Sequence, residues 1–265
     1  MTATVLAEDA LVLRQDEASV ATLTLNRPKQ YNALSRAMLG ALQTALDAVA
    51  ADQTIRVVVI AGAGPAFCAG HDLKEMRAQT DPAFHQALFA QCGRVMLTIN
   101  HLPQPVIARV HGIATAAGCQ LVAACDLAVA SDNARFATSG INVGLFCATP
   151  GVALSRNLSR KQALELLLTG DFIDAPTALR QGLINRVAPL DQLDAAVWQL
   201  ADSICSKSPL AIAMGKELFY QQLELGLEAA YARASEVMAC NMNSDDAREG
   251  IDAFIAKRKP TWRGH

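Results

Sequence analysis

The sequence predicts one α/β core followed by a helical C-terminal region. Three observations carry that expectation. Short, fully apolar runs have the length of strands buried on both faces. Joints rich in glycine and alanine separate those runs from segments of helical composition. After Leu158 the character turns helical and stays so to the end of the chain. Strands mixed with helices first, then helices alone, is the order of an α/β core with an appended helical part.

The elements follow in chain order. Val20, Leu23 and Leu25 fall among threonine and asparagine, as in half-buried strands. Ser35 is a candidate N-cap for a helix with Leu39, Leu42, Leu46 and Val49 at helical spacing. Residues 57–60 read as a buried strand, followed by a glycine-rich loop over 62–70 and a charged segment over 72–77. Residues 106–110 read as a second strand ended by Gly112, residues 114–125 have helical composition, and 127–130 read as a further buried strand. Helices are expected near 160–168, 175–182, 192–205, 209–225, 227–241 and 246–257, with Pro209 at a first helical position after Ser208. The expected division is a core over 1–200 and a helical region over 201–265. Those last helices cannot bury both faces on one another, which points to self-association.

The chain has 265 residues, 52% of them hydrophobic, enough for one sizeable core. A net charge of -2 gives no overall pull on nucleic acid or an anionic membrane, and no basic stripe or aromatic platform is visible. An anionic ligand must therefore be held by a local site. The seven cysteines lack metal-ligand spacing and lie mostly in apolar stretches, as buried free thiols do. That suits a reducing compartment, and the cytoplasm is expected, with the mitochondrial matrix open only if a transit peptide has been removed. The opening residues lack the basic-then-apolar pattern of a secretory signal. The longest apolar stretch, 112–125, is interrupted by Gln120 and too short to span a bilayer, so no membrane insertion is expected.

Two strand-to-helix junctions carry the candidate chemistry. One runs from Phe67 through Ala69, Gly70, His71, Asp72 and Leu73 to Lys74; the other spans 112–120 and includes Ala117 and Gly118. Small residues let a ligand approach the backbone, and helix N-termini present unpaired N–H groups. Two such amides aimed at one point would stabilise the oxygen of a thioester enolate, each by about 3–4 kcal/mol. Tight strand-helix packing is the structural alternative at each junction. A dinucleotide fingerprint fails on spacing, because Phe67 stands where the last glycine should be. Neither HExxH nor paired CxxC occurs, so no metal is expected.

The motifs are similar to those of the enoyl-CoA hydratase/isomerase, or crotonase, family. The resemblance rests on Asn26-Arg27-Pro28-Lys29 with Asn32-Ala33-Leu34, and on the two junctions just described. It extends through Cys125-Asp126, Leu168-Thr169-Gly170 and Gly182-Leu183 to Lys259-Pro260. It implies a crotonase-like spiral of ββα turns, a homotrimer or dimer of trimers, and an acyl-CoA substrate with no separate cofactor. It assigns the oxyanion donors to the amides of His71 and Ala117. It places Arg27, Lys29, Ala69, His71, Asp72, Leu73, Lys74, Ala117 and Gly118 along the CoA thioester. It further brings Phe254 and Lys257 to the CoA of a neighbouring subunit, where Lys257, Arg258 and Lys259 form a small cationic cluster.

The sequence departs from that family's hydratases at both catalytic carboxylates. Gln120 stands at the first glutamate position and Gly140 at the second. Glutamine orients water but takes no proton, and glycine does neither. Each lost acid–base group typically costs 10²–10⁴-fold, so enoyl-CoA hydration is expected to be very slow or absent. A gain in hydration on restoring carboxyls with Gln120→Glu plus Gly140→Glu would indicate that the pocket is intact and only the proton carriers are missing. This pattern resembles the branch of enoyl-CoA hydratase domain-containing proteins with glutamine at the first position. Isomerisation, decarboxylation, thioester hydrolysis and a non-catalytic acyl-CoA sensor remain open. His71 is a candidate donor to a substrate carboxylate or thioester oxygen, or a locally bonded loop histidine. Asp72 reads as a helix N-cap, Lys74 as a phosphate contact or a solvated lysine, and Cys147 as a packed thiol.

Overall fold

The computed structural model describes residues 10–265. The first nine residues, which open the stretch tested for a secretory signal and the expected core over 1–200, lie outside them. Strands β1 (Val12–Glu17) and β2 (Val20–Leu25) form an antiparallel hairpin. Then β2 pairs in parallel with β3 (Val57–Gly62), β3 with β5 (Val106–Val110), β5 with β7 (Leu127–Ser131), and β7 with β10 (Arg186–Ala188). A smaller sheet runs β4 (Ala66–Cys68), β6 (Ile113–Thr115), β8 (Arg135–Ala137) and β9 (Ile173–Asp174). Consecutive strands thus divide between the sheets: β3, β5 and β7 enter the large one, and β4, β6 and β8 the small one. Each pair is followed by helix, so the chain climbs by one ββα turn at a time.

The helices cover the layers. Helix α1 (Arg36–Ala50) begins at Ser35, whose Oγ accepts the Met38 N–H at 3.2 Å. It buries Met38, Leu39, Leu42, Leu46 and Val49, each worth about 1.5–3 kcal/mol. Helices α2 (Leu73–Ala78) and α3 (Pro82–His101) follow β4, and α4 (Ala117–Ala124) follows β6. Every residue of α4 is buried, which explains why its sequence has no polar face. Helices α5 (Ala148–Asn157), α6 (Arg160–Thr169) and α7 (Ala175–Gln181) complete the spiral. Helix α8 (Leu193–Cys205) packs on the far side of the large sheet, where Leu193 and Val197 join Val57, Val59 and Val129 in a second apolar cluster.

Helices α9 (Pro209–Gln222), α10 (Leu227–Met242) and α11 (Asp245–Ile255) pack largely on one another. One buried polar network ties them to the core. Lys216 Nζ donates to Ile99 O (2.8 Å), Gln104 O (2.9 Å) and Asp126 Oδ2 (2.6 Å). Asp126 also accepts from the Val106 amide (2.6 Å) and the Tyr220 hydroxyl (2.7 Å). The Lys216 ammonium has three acceptors and both Asp126 oxygens have donors, the condition under which a buried ion pair is tolerated.

The structure revises several local expectations. Residues 62–70 are not one loop, because β4 lies within them. Residues 114–125 are not one helix: β6 extends to Thr115 and α4 starts at Ala117. Three-residue strands are too short to show a period, so their partners in the small sheet decide them. Helices α3 and α5 fall outside the expected set, although Leu88, Cys92, Val95, Met96 and Ile99 give α3 a clear apolar face. The expected boundary at residue 200 falls inside α8.

Candidate active site

Asn32 shapes the first junction. It is fully buried with φ 56°, a left-handed conformation asparagine tolerates. Its Nδ2 donates to Ala63 O (2.9 Å), Ala66 O (2.8 Å) and Phe67 O (3.1 Å), and its Oδ1 accepts the Arg27 amide at 2.9 Å. These bonds pin the approach to β4, a role that the sequence motif containing Asn32 does not reveal. Leu34 and His71 then form an isolated parallel bridge in which the Leu34 N–H donates to Gly70 O at 2.8 Å. A trans peptide points its C=O and N–H in opposite directions. With the Gly70 carbonyl held by Leu34, the His71 N–H points away from Leu34.

Ala117 opens α4, so its N–H has no partner within the helix. The preceding residue, Ala116, has φ 51° and ψ -121°, a region that costs a non-glycine residue about 1–3 kcal/mol. That strained turn swings the chain from β6 into α4 within one residue. Gly70 and Gly118 allow the two junctions to touch. A Cβ on Gly70 would sit 2.8 Å from Ala116 Cβ and 3.1 Å from Ala117 N; one on Gly118 would sit 2.1 Å from Cys68 O. Neither position accepts a side chain.

A cavity of about 270 Å³ opens where the junctions meet. One wall is Ala69, His71, Ala116 and Ala117, and another is Ser139, Gly140 and residues 145–150. Leu73, Met76, Phe89 and Val143 add apolar surface. Among the described residues that line it, none carries a carboxylate or a cationic lysine or arginine side chain.

The expected site residues separate into groups. Ala69, His71, Leu73, Ala117 and Gly140 line the cavity. Gly118 is fixed beneath it by its contact with Cys68. Gln120 is buried behind it, with its Oε1 4.0 Å from Cys92 Sγ, and is not on the cavity wall. Asp72 caps α2, accepting the Lys74 (3.1 Å) and Glu75 (3.2 Å) amides. It also pairs with Arg27 at 3.2 Å, and Arg27 bonds Ala33 O as well, so Arg27 braces the junction. Lys29 and Lys74 are exposed at the surface. Phe254, 85% exposed, lies on α11 beside a separate groove that includes Trp262, and Lys257 lies in the turn that follows α11. The structure brings neither to the cavity of its own chain.

The gap left at position 140 is filled. A Cβ there would lie 2.7 Å from Leu145 O and 2.8 Å from Cys147 Sγ. The loop is closed by the Leu145 N–H donating to Gly140 O at 2.9 Å. Burial raises the Cys147 pKa, so its thiol stays protonated and matches the expected packed thiol. Burial lowers the His71 pKa, opposed by the Leu34 carbonyl and by Glu75. Its Nδ1 lies 3.2 Å from Leu34 O, its ring stands edge-on to Phe89 at 5.4 Å, and its Nε2 is buried with no donor of the protein in reach.

Among the described residues no cluster of metal-ligating side chains occurs, and no helix is long and apolar enough to cross a membrane. All seven cysteines are free.

The comparisons with known proteins agree with this architecture. The profile of the enoyl-CoA hydratase/isomerase family matches residues 15–265. The mitochondrial enoyl-CoA hydratase domain-containing protein 3 of Mus musculus is 47% identical over 96% of this chain and 85% of its own length. The 2,3-dehydroadipyl-CoA hydratase of Escherichia coli is 36% identical over 97% of this chain and 99% of its own. A crystal structure of an enoyl-CoA hydratase from Mycobacterium smegmatis superimposes with a TM-score of 0.94 at 58% identity, covering 95% of this chain and 98% of that one. That of human enoyl-CoA hydratase domain-containing protein 3 gives 0.93 at 45% identity, covering 95% and 100%. With a family match over nearly its whole length and the ββα spiral of its structural relatives, the chain belongs to the enoyl-CoA hydratase/isomerase family.

Proposed function

We propose that this protein binds an acyl-CoA and stabilises its thioester enolate between the main-chain amides of His71 and Ala117, without fast hydration of a double bond. The observation that carries the proposal is the meeting of two junctions. The His71 N–H points away from Leu34 because Gly70 O is engaged there. The Ala117 N–H has no partner within α4, and both residues line one cavity. Preorganised amides of this kind contribute about 3–4 kcal/mol each to an oxyanion transition state. The enolate chemistry therefore rests on backbone that tolerates the changed side chains around it.

The cavity wall favours slow hydration. Gly140 stands on it without a side chain, Gln120 sits behind it, and no carboxylate replaces them. A screen of enoyl-, malonyl- and 3-ketoacyl-CoAs with product analysis tests the proposal. CoA thioesters are expected to bind, and crotonyl-CoA hydration to run about 10²–10⁴-fold below a two-carboxylate relative for each missing group. Hydration at such a relative's rate would refute the reading of positions 120 and 140. Failure to bind any CoA thioester would refute the site itself. Binding without turnover of any substrate would favour the acyl-CoA sensor, the reading that the missing carboxylates support.

Assembly as a homotrimer or dimer of trimers is part of the same proposal. Leu227, Phe254 and Ile255 on the C-terminal helices are 75%, 85% and 73% exposed, more apolar surface than one chain covers. Phe254 and Lys257 would then serve a neighbour's CoA rather than their own. Free thiols suit a reducing compartment, the cytoplasm, with the mitochondrial relatives supporting the matrix as the alternative.

A further inference from the structure

Helix α11 ends in a left-handed turn built on a lysine. The Arg258 N–H donates to Ala253 O at 3.0 Å and the Lys257 N–H to Phe254 O at 3.2 Å, the pair of bonds that commonly closes a helix around a glycine. Lys257 stands in the glycine place with φ 53°, a conformation that a residue with a side chain keeps only when its surroundings enforce it. Glu249, on the same helix, supplies the enforcement. Its two oxygens accept from Arg258 Nη1 (2.6 Å) and Nη2 (2.8 Å), and its Oε1 also accepts the Thr261 N–H at 2.7 Å. Arg258 and the Thr261 amide lower the Glu249 pKa to about 2, so the clamp stays charged at neutral pH. Beyond the turn the chain is held again. Trp262 Nε1 donates to Ser206 O at 2.8 Å, and Asp246, 1% exposed, accepts the Arg263 N–H at 2.7 Å.

The clamp sorts the cationic cluster that follows α11. The Arg258 charge is compensated by Glu249. Lys257 and Lys259 are exposed, and their ammonium groups have no partner among the described residues. Of these two, Lys257 is the one whose backbone the clamp holds in an uncommon conformation. A side chain directed in advance loses less freedom when it meets an anion. Resting on the reading that Lys257 serves the CoA of a neighbouring subunit, we infer that Glu249, acting through Arg258, is a positioning residue that aims the Lys257 ammonium at the phosphates of that CoA.

Isothermal titration of the intact protein at low ionic strength, comparing butyryl-CoA with butyryl-pantetheine, tests this. The second ligand has the same thioester and no phosphate. Lys257→Met should weaken butyryl-CoA about tenfold and leave butyryl-pantetheine unchanged. Glu249→Gln and Arg258→Lys should each weaken butyryl-CoA about threefold or more, again sparing butyryl-pantetheine, and should add nothing when combined with Lys257→Met. The sign separates geometry from charge. Glu249→Gln removes a negative charge and frees Arg258, so charge alone would tighten an anion. Arg258→Lys keeps the charge and loses only the two-pronged geometry. Unchanged or tighter butyryl-CoA binding in the two clamp variants, an equal loss with butyryl-pantetheine, or additive losses in the double variants would each overturn the positioning role while leaving the thioester site standing. Dissociation of a clamp variant's assembly, seen by light scattering, would overturn it in favour of a role in assembly. A Lys257→Met variant that binds butyryl-CoA as the wild type does would overturn the Lys257 contact and the inference together. No binding of either thioester by the wild type would overturn the thioester site as well.

Discussion

Placing a side chain at position 140 should destabilise the protein and should not restore hydration. An added Cβ would sit 2.7 Å from Leu145 O and 2.8 Å from Cys147 Sγ, well inside the roughly 3.5–4.0 Å of ordinary contacts. Neither neighbour yields readily. The Leu145 carbonyl is backbone in a loop closed by the Leu145 N–H donating to Gly140 O, and Cys147 is buried against the same wall. Overpacking of this kind costs about 1–3 kcal/mol. In a chain of this size each kcal/mol lowers Tm by roughly 2–4 °C. Thermal melts of Gly140→Ala should therefore show a fall of several degrees. A restored pair, Gln120→Glu with Gly140→Glu, should melt lower still. It should gain no hydration of crotonyl-CoA, because one carboxyl would be forced out of its loop and the other buried behind the wall. A Gly140→Ala variant with wild-type Tm, or a hydrating double variant, would refute the steric argument.

Further outcomes follow from other parts of the structure. Lys216→Met should cost about 3–5 kcal/mol by leaving Asp126 buried without its cation; chemical denaturation measures it, and a loss under 1 kcal/mol would show that the network does not anchor α9. Asn32→Ala removes three donated bonds beneath the first junction, leaving buried carbonyls unpaired, and should cost about 1–3 kcal/mol or more by the same assay. Burial holds the His71 pKa below its ordinary 6.5, with Glu75 opposing. In acid the unfolded chain takes up a proton that the folded chain refuses, so stability is lost as pH falls through about 6.5. His111, also lowered by burial, acts with the same sign. Tm measured against pH should therefore fall more steeply on acidification for wild type than for His71→Phe, and parallel curves would contradict the buried, neutral ring.

How much was legible in the sequence varied with element length and with what fixes each element. The runs at 57–60 and 106–110 and the helices from 160 onward carry their own period or caps, and they appear where expected to within a few residues. Strands β4, β6 and β8 have three residues each and no readable period, so only pairing in the small sheet defines them. The site followed the same division. The small residues at 69–70 and 116–118 announced the two junctions, because close backbone approach excludes large side chains. The Asp72 cap was also legible from a carboxylate placed just before a helix.

The sequence by itself determined the family, a mixed strand-and-helix core followed by a helical end, and the absence of glutamate at positions 120 and 140. Those are properties of residue identity and spacing. Only the tertiary structure decided that Gln120 lies behind the cavity wall, that Leu145 and Cys147 occupy the space beside Gly140, and that Arg27 braces Asp72. It likewise decided which nitrogen of His71 carries the proton, since that depends on the carbonyl of Leu34, far away in sequence. Such facts arise from contacts between distant segments, and local sequence pattern holds no record of which atoms will meet.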